Sequence, residues 1–214
     1  MALTGRRIDG MMLVYQKRIV HFRGSREATR VLLEHLDLEK VELLAPKEHK
    51  QYILEKYEPT WSHELMLMVL RKGEERLHTS HPIVKLDALH AEQIADIINA
   101  ADPEFWGEIT VEQIIEGMSS TNWVGIKVDG ELASICRTRL AEGIGHIVTV
   151  ATHEAHRNKG YATSLVSHSI NSILKKTSIA IINVLNDNQP AIRVYKKVGF
   201  KPYKTYYFIR GERR

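Results

Sequence analysis

The chain has 214 residues, of which 43% are hydrophobic, and its formal net charge is +4 at pH 7. That hydrophobic content is enough for a buried core, and the dispersed basic residues, which are not interleaved with aromatics, do not favour nucleic-acid binding. The single Cys136 excludes an internal disulfide and a cysteine-based zinc site, so we expect no metal. The chain contains no run of about eighteen apolar residues, which a membrane-spanning helix would need. We therefore expect a soluble, cytoplasmic protein.

The first eighty residues predict a small α/β unit with the element order βαβαβ and no obvious chemistry of its own. Apolar runs predict strands over 12–22, 41–45 and 64–70, and helical spacing predicts helices from Ser25 and over 47–57. The polar stretch 73–82 contains a glycine and a proline and is the candidate linker. We therefore expect one unit over residues 1–80 and a second over 83–210.

The second unit begins with a strand over 83–86 and a helix over 90–100. Thr110, with Gln113 three residues on, has the spacing of a capping box at the start of another helix. Two alternating runs, 122–128 and 131–139, flank Asp129-Gly130, which is a typical hairpin turn.

The stretch 148–200 predicts a strand, a phosphate-binding turn, a helix, a strand and a final helix. The turn carries Arg157, Lys159 and Gly160, and it opens a helix with apolar residues on one face. The start of a helix offers unpaired N–H groups and the positive end of the helix dipole, which together suit a phosphate. The order of residues fits neither a Walker P-loop nor the glycine pattern of a dinucleotide fold.

Two sequence motifs in this stretch resemble the signatures of the GNAT superfamily of acyl-CoA-dependent N-acetyltransferases. The run 157–162, Arg-Asn-Lys-Gly-Tyr-Ala, fits R/Q-x-x-G-x-G/A, and the run 188–200 resembles N-x-x-A-x-x-x-Y-x-x-x-G-F. The resemblance implies a mixed α/β acyltransferase fold for 83–210 and acetyl-CoA as co-substrate. The N-terminal unit followed by such a domain is similar to the two-part layout of the glycine N-acyltransferase-like branch, and we expect that unit to cap the substrate side.

The resemblance also implies which residues hold the cofactor. Backbone groups of the turn would bind the pyrophosphate, the strand before the turn would pair with the pantetheine arm, and Asn188 would hydrogen-bond that arm. The residues so implied are Val148, Val150, Thr152, Arg157, Asn158, Lys159, Gly160, Tyr161, Ala162 and Asn188. A glycine that merely precedes a helix, with solvated basic neighbours, gives the same local pattern. Glu154 departs from the family, which often has proline shortly before the arginine.

Two residues are the candidates for proton transfer. Tyr195 falls on the family's usual general acid, although a core tyrosine has the same pattern. His146 falls where arylalkylamine N-acetyltransferases carry a strand histidine, and strict alternation would place it on the same face as Val148 and Val150. A histidine satisfied at a strand end is the alternative, and Glu142 and Glu131 are further candidates for the base. Phe105, Trp106 and Trp123 are candidates for an acceptor pocket, although aromatics in a helix loop and a hairpin are more often core residues.

The resulting expectation is transfer of an acetyl group from acetyl-CoA to a primary amine by direct attack. The acceptor stays open between a small molecule or amino acid, which the extra N-terminal unit favours, and the N-terminus or a lysine of a protein. A non-catalytic acyl-CoA-binding regulatory module is the alternative outside the enzymes. We expect a small-molecule amine as partner, no nucleic acid or membrane, and a monomer or homodimer.

Overall fold

The computed structural model describes residues 2–4, 7–101, 105 and 107–214, and for 2–4 and 7 it describes the backbone alone. The strands are β1 Ala2–Thr4, β2 Arg7–Tyr15, β3 Ile19–Gly24, β4 Lys40–Pro46, β5 Tyr57–Arg71, β6 Val84–Lys85, β7 Asn122–Val128, β8 Glu131–Ala141, β9 Ile144–Thr152, β10 Ile179–Leu185 and β11 Lys201–Arg213. The helices are α1 Arg26–Glu34, α2 Lys50–Lys56, α3 Ala91–Ala101, α4 Val111–Met118, α5 Tyr161–Leu174 and α6 Gln189–Val198. The predicted mixed α/β fold class is confirmed.

The chain divides into two compact units, each built from segments that are separated in sequence. The first contains Met1–Leu67, Val184–Asn188 and Tyr203–Arg214, and the second contains Met68–Asn183 and Gln189–Pro202. The last strand of the chain is therefore largely part of the first unit, where β11 pairs antiparallel with β4.

The first unit has the strand order β1-β2-β3-β4-β11-β5. The prediction of one strand over 12–22 is wrong, because Gln16 and Lys17 both take positive φ values, 50° and 52°, and turn the chain into the antiparallel hairpin β2–β3. Helix α1 begins after Ser25, whose side chain accepts the N–H of Ala28 at 3.1 Å. The buried core of this unit comprises Val20, Phe22, Leu32, Leu33, Leu36, Val41, Leu43, Ala45, Ile53, Tyr57, Tyr207 and Ile209.

The second unit has the strand order β10-β9-β8-β7-β6, in which β9 and β10 are parallel and the other pairs antiparallel. Ile135 of β8 lies in a core cluster with residues of α3 and α4. Its neighbour Cys136 accepts a hydrogen bond from Ser169 of α5. Because successive strand residues point to opposite faces, α3 and α4 cover one face of the sheet and α5 covers the other.

The stretch predicted as a linker is fastened to the second unit by hydrogen bonds. The N–H of Arg76 donates to the carbonyl of Val198 at 2.8 Å. Further along, the N–H groups of His78 and Ser80 donate to the hydroxyls of Ser167 and Ser164 at 3.0 and 3.1 Å. Serines on the buried face of α5 therefore satisfy the backbone of this polar stretch.

Gly145 is a point of close contact between β9 and α5, and it yields a stability prediction. An ideal Cβ placed on Gly145 would lie 2.0 Å from Cγ2 of Ile173. We expect Gly145→Ala to lower the free energy of unfolding by about 1–3 kcal/mol, because overpacking forces neighbouring groups to shift. Chemical denaturation measures this change. The double variant with Ile173→Ala should recover part of the loss, and a strictly additive double variant would contradict the contact.

Candidate functional site

The turn between β9 and α5 has the conformation of an anion-binding cradle. Asn158 and Gly160 both take left-handed backbone angles, with φ values of 63° and 82°. Helix α5 starts directly after Gly160, so the amide N–H groups of its first turn have no carbonyl partner within the helix. A Cβ on Gly160 would meet one described atom within 4 Å, Cε1 of His81 at 3.5 Å. The space over this turn is therefore open to a phosphate group.

The strand that leads into this turn loses its neighbour part-way along. The parallel register of β9 with β10 runs from Ile144↔Ile179 to Ile147↔Ile182, and in the described residues it ends there, although β9 continues to Thr152. On the other side, Arg137 is opposite Thr149 and Thr138 is opposite Ile147, so Val148 is the extra residue of a β-bulge. The edge of β9 over 148–152 is thus available for a further extended segment.

Tyr195 lies on α6 and is buried, with 6% of its surface exposed. Burial raises the pKa of its phenol, and the Cys136 thiol nearby raises it further. Burial also raises the pKa of Cys136 to about 12, although the hydrogen bond from Ser169 at 3.3 Å opposes that rise. Both groups therefore hold their protons at neutral pH.

His146 lies on β9, half-buried, directly opposite Arg139 of β8. Burial lowers the pKa of His146 to about 4, and the positive charges of Arg139 and Arg137 contribute. The imidazole is consequently neutral at pH 7 and can accept a proton.

The expectation that His146 shares a face with Val150 is wrong. Val150 lies opposite Cys136 and His146 lies opposite Arg139. Cys136 and Arg139 are three residues apart on β8, so they point to opposite faces, and so do their partners. The bulge at Val148 shifts the alternation, which places His146 on the side of α3 and α4.

Part of the chain is similar to a known protein family and to two curated relatives. Residues 123–209 match the family described as FR47-like protein. An N-alpha-acetyltransferase of Sulfurisphaera tokodaii is 30% identical over 102 residues, covering 40% of this chain. Another, from Saccharolobus solfataricus, is 38% identical over 72 residues, covering 32% of this chain. The chain spans 61% and 43% of the lengths of these two relatives.

Solved structures extend the likeness over most of the chain. A putative acetyltransferase of the GNAT family from Novosphingobium aromaticivorans has a TM-score of 0.66 at 17% identity, over 91% of this chain and 84% of its own. A GCN5-related N-acetyltransferase from Sphaerobacter thermophilus has a TM-score of 0.67 at 14% identity, over 95% and 76%. A tandem GNAT protein from the clavulanic acid biosynthesis pathway has a TM-score of 0.59 at 14% identity, over 99% and 81%. At identities this low, the structural likeness establishes a shared fold alone.

Residues 123–209 are thus similar to the FR47-like family, and the chain shares its fold with GNAT-family acetyltransferases. The second unit, which we call the GNAT unit, brings together most of the residues singled out from the sequence. It contains the turn 157–162, the strand residues Val148, Val150 and Thr152, and both Tyr195 and His146. Asn188 belongs to the first unit, and its N–H donates to the carbonyl of Leu185 at 3.0 Å.

The remaining candidates have different surroundings. Glu131 and Glu142 are exposed, at the start of β8 and in the turn after it. Trp123 is buried in the cluster under α3 and α4. Trp106 lies outside the described residues, whereas Phe105 is described and half-buried.

His81 is the neighbour of the turn that the sequence analysis missed. Its Nδ1 lies 2.8 Å from the Ser164 hydroxyl of α5, and its ring meets that of Tyr161 edge-on at 4.7 Å. A histidine in a polar stretch far from both motifs gives no sequence signal of this position.

Neither a metal site nor a membrane-spanning helix is found among the described residues. No group of three or more His, Cys, Asp or Glu side chains there is arranged to hold a metal ion. In that same part of the chain, no helix combines the length and apolarity needed to span a membrane.

Proposed function

We propose that this protein is an acetyl-CoA-dependent N-acetyltransferase that transfers the acetyl group to a primary amine by direct attack. One observation carries the proposal. The open, left-handed turn at Gly160 follows a strand whose pairing with β10 ends at Ile147, so a phosphate cradle and an unpaired backbone edge lie in sequence along one segment. A ligand with a pyrophosphate and an amide-containing arm suits both features.

The residues of the GNAT unit would hold acetyl-CoA in the following way. The N–H groups at the start of α5 would bind the pyrophosphate, and Arg157 and Lys159 would add positive charge. The backbone of Val148, Val150 and Thr152 would pair with the pantetheine arm. For Asn188 a contact with that arm stays a prediction. Bound acetyl-CoA supplies the acetyl group as a thioester.

Two side chains of the GNAT unit would move protons. Tyr195 keeps its proton at neutral pH, because its pKa is raised, and can donate it to the departing thiolate. His146 is neutral and can take the proton of the attacking amine, directly or through water. Cys136 is buried and protonated, so it does not suit a covalent intermediate.

The acceptor is the finer part of the proposal. We favour a small amine or amino acid. A protein N-terminus is the second candidate, because both curated relatives are named N-alpha-acetyltransferases.

Calorimetric titration with acetyl-CoA, with desulfo-CoA and ATP as controls, tests the cofactor. Thiol release with a panel of amines tests the reaction. Micromolar binding of acetyl-CoA with amine-dependent thiol release is the expected result. Binding without release for any amine would instead indicate a regulatory module, and no binding to folded protein would refute the proposal.

The low pKa of His146 predicts an unusual pH profile. Since its folded-state pKa is about 4, below the ordinary 6.5, the imidazole is already neutral throughout pH 5.5–8. In that range, kcat/KM should therefore rise with pH as the acceptor amine loses its proton, and it should show no histidine inflection near pH 6.5.

His146→Gln should lower kcat about 10²-fold, because the candidate base is lost. The matched control is His168→Gln, because His168 is an exposed residue of α5. Equal rates for the two variants would exclude His146 as the base.

A further inference from the structure

Two buried N–H donors lie side by side on the face of the sheet that also carries His146. Nε1 of Trp123 and Nε of Arg137 are both buried, and among the described residues neither has a hydrogen-bond partner. Trp123 and Arg137 are directly opposite each other on β7 and β8, and the guanidinium carbon lies 5.3 Å from the indole ring centroid. A buried donor without a partner is destabilising, so two together call for an explanation.

The surroundings of these donors are positive. Arg139 lies two residues along β8 on the same face, and His146 is its cross-strand partner. Burial and the neighbouring Arg139 lower the pKa of Arg137. Neither arginine forms an ion pair with a carboxylate of the described residues, although several surface arginines of the chain do. Within the described part of the chain, the cluster therefore offers donors and positive charge without a paired carboxylate.

The neighbouring helix leaves room for the guanidinium. A Cβ on Gly117 of α4 would lie 3.1 Å from Nη2 of Arg137. Arg137 is half-buried between this glycine and Trp123, whereas Arg139 is exposed. A small molecule can consequently approach the cluster from the side of Arg139.

We propose that the acceptor is an amine that carries a carboxylate, of the amino-acid class, and that Arg137, Arg139 and the indole N–H of Trp123 bind this carboxylate. The inference rests on the proposed function, since it places the acceptor beside the candidate base. Positions 137 and 139 are about 7 Å apart along the strand, and His146 faces the second of them. The amine and the carboxylate are therefore separated by few bonds, as in an α- or β-amino acid.

The same arrangement accounts for the weak basicity of His146 in the free protein. The two arginines and burial hold its pKa down. A bound carboxylate offsets the positive charges, so the imidazole becomes a better proton acceptor when the correct acceptor is present. An acceptor amine without a carboxylate does not raise the basicity of His146 in this way.

Matched acceptors test the proposal through turnover. We would measure kcat/KM, expressed per neutral amine, for the amino acids and for their α-amides, in which an uncharged amide replaces the carboxylate. The acid of the preferred pair should react about 10²-fold faster, because the amide leaves the donors unpaired. Arg137→Gln should remove that preference, because kcat/KM for the acid falls relative to kcat/KM for the amide. Arg193→Gln, an exposed arginine of α6, is the control.

A binding measurement covers the case in which turnover is slow or a variant folds poorly. N-acetyl amino acids and their amides are titrated calorimetrically into CoA-saturated protein. The acids should bind at least tenfold more tightly than the amides. If Arg137→Gln does not fold, the exposed Arg139→Gln should still weaken acid binding several-fold.

The outcomes separate the two proposals. Equal affinities of acids and amides, or no binding of either to protein that binds CoA, overturn the carboxylate site. A preference for phosphoethanolamine also overturns the carboxylate site. The same holds for a preference for a peptide amine whose rate does not change in Arg137→Gln. Such results leave acetyl transfer intact if any amine is acetylated. Absence of CoA binding refutes the proposed function itself.

Discussion

Replacement of Tyr195 by Phe is expected to lower kcat at least about 10²-fold and to leave the affinity for acetyl-CoA unchanged. The substitution removes a single hydroxyl from a side chain that is 6% exposed, so the ring still fills its place beside Phe200. What is lost is a proton that burial of the phenol holds in place at neutral pH, because burial raises its pKa. Without it the departing thiolate must take its proton from water.

The measurement is single-turnover thiol release, together with calorimetry for the cofactor. Tyr207→Phe is the matched control, because Tyr207 is a buried tyrosine in the core of the first unit. Its activity should stay close to that of the native protein. If Tyr195→Phe retains more than about a third of the rate, the phenol is a core group and the general acid lies elsewhere.

The turn of the candidate site is well predicted from sequence because its determinants are local. A strand, a glycine at positive φ and the first turn of a helix all depend on residues within a few positions of Gly160. The same holds for the capping box at Thr110 and Gln113, where each side chain binds the other's backbone N–H, and for the hairpin at Asp129-Gly130.

Some features are missed when side chains are assumed to alternate strictly along a strand, because these features depend on how neighbouring strands pair. Val148 has no unusual composition, yet the bulge there reverses which face the following residues occupy. The hairpin at Gln16 and Lys17 was missed for a similar reason, since neither residue is a typical left-handed turn residue. In both places the pairing of two consecutive strands, β2 with β3 and β8 with β9, decides the backbone conformation.

The arginine cluster shows a third limit. The sequence shows Arg137 and Arg139 alternating with Cys136, Thr138 and Leu140 along a predicted strand, which by itself is typical of a strand with one solvent-facing side. Whether those charges are paired depends on α3, α4 and β9, which the sequence does not bring together. The packing of the GNAT unit is what leaves Nε of Arg137 and Nε1 of Trp123 without a hydrogen-bond partner among the described residues.

Gly160→Glu is expected to abolish binding of acetyl-CoA. The expected loss of affinity is at least about 10²-fold, or about 3 kcal/mol at 1.4 kcal/mol per factor of ten. Two effects act together. Position 160 has a φ of 82°, which disfavours any residue with a Cβ. The new carboxylate would also occupy the open space over the helix start, where it would repel the phosphates and compete for the N–H groups.

A matched control separates these effects. Gly130, in the β7–β8 turn, has a φ of 91° and nothing within 4 Å of an added Cβ. Gly130→Glu therefore imposes the same backbone strain and the same charge away from the proposed cofactor site. It should lower the melting temperature about as much as Gly160→Glu and leave acetyl-CoA affinity unchanged. Equal loss of affinity in both variants would mean that strain alone weakens the GNAT unit. A loss confined to Gly160→Glu would locate the phosphates at the start of α5.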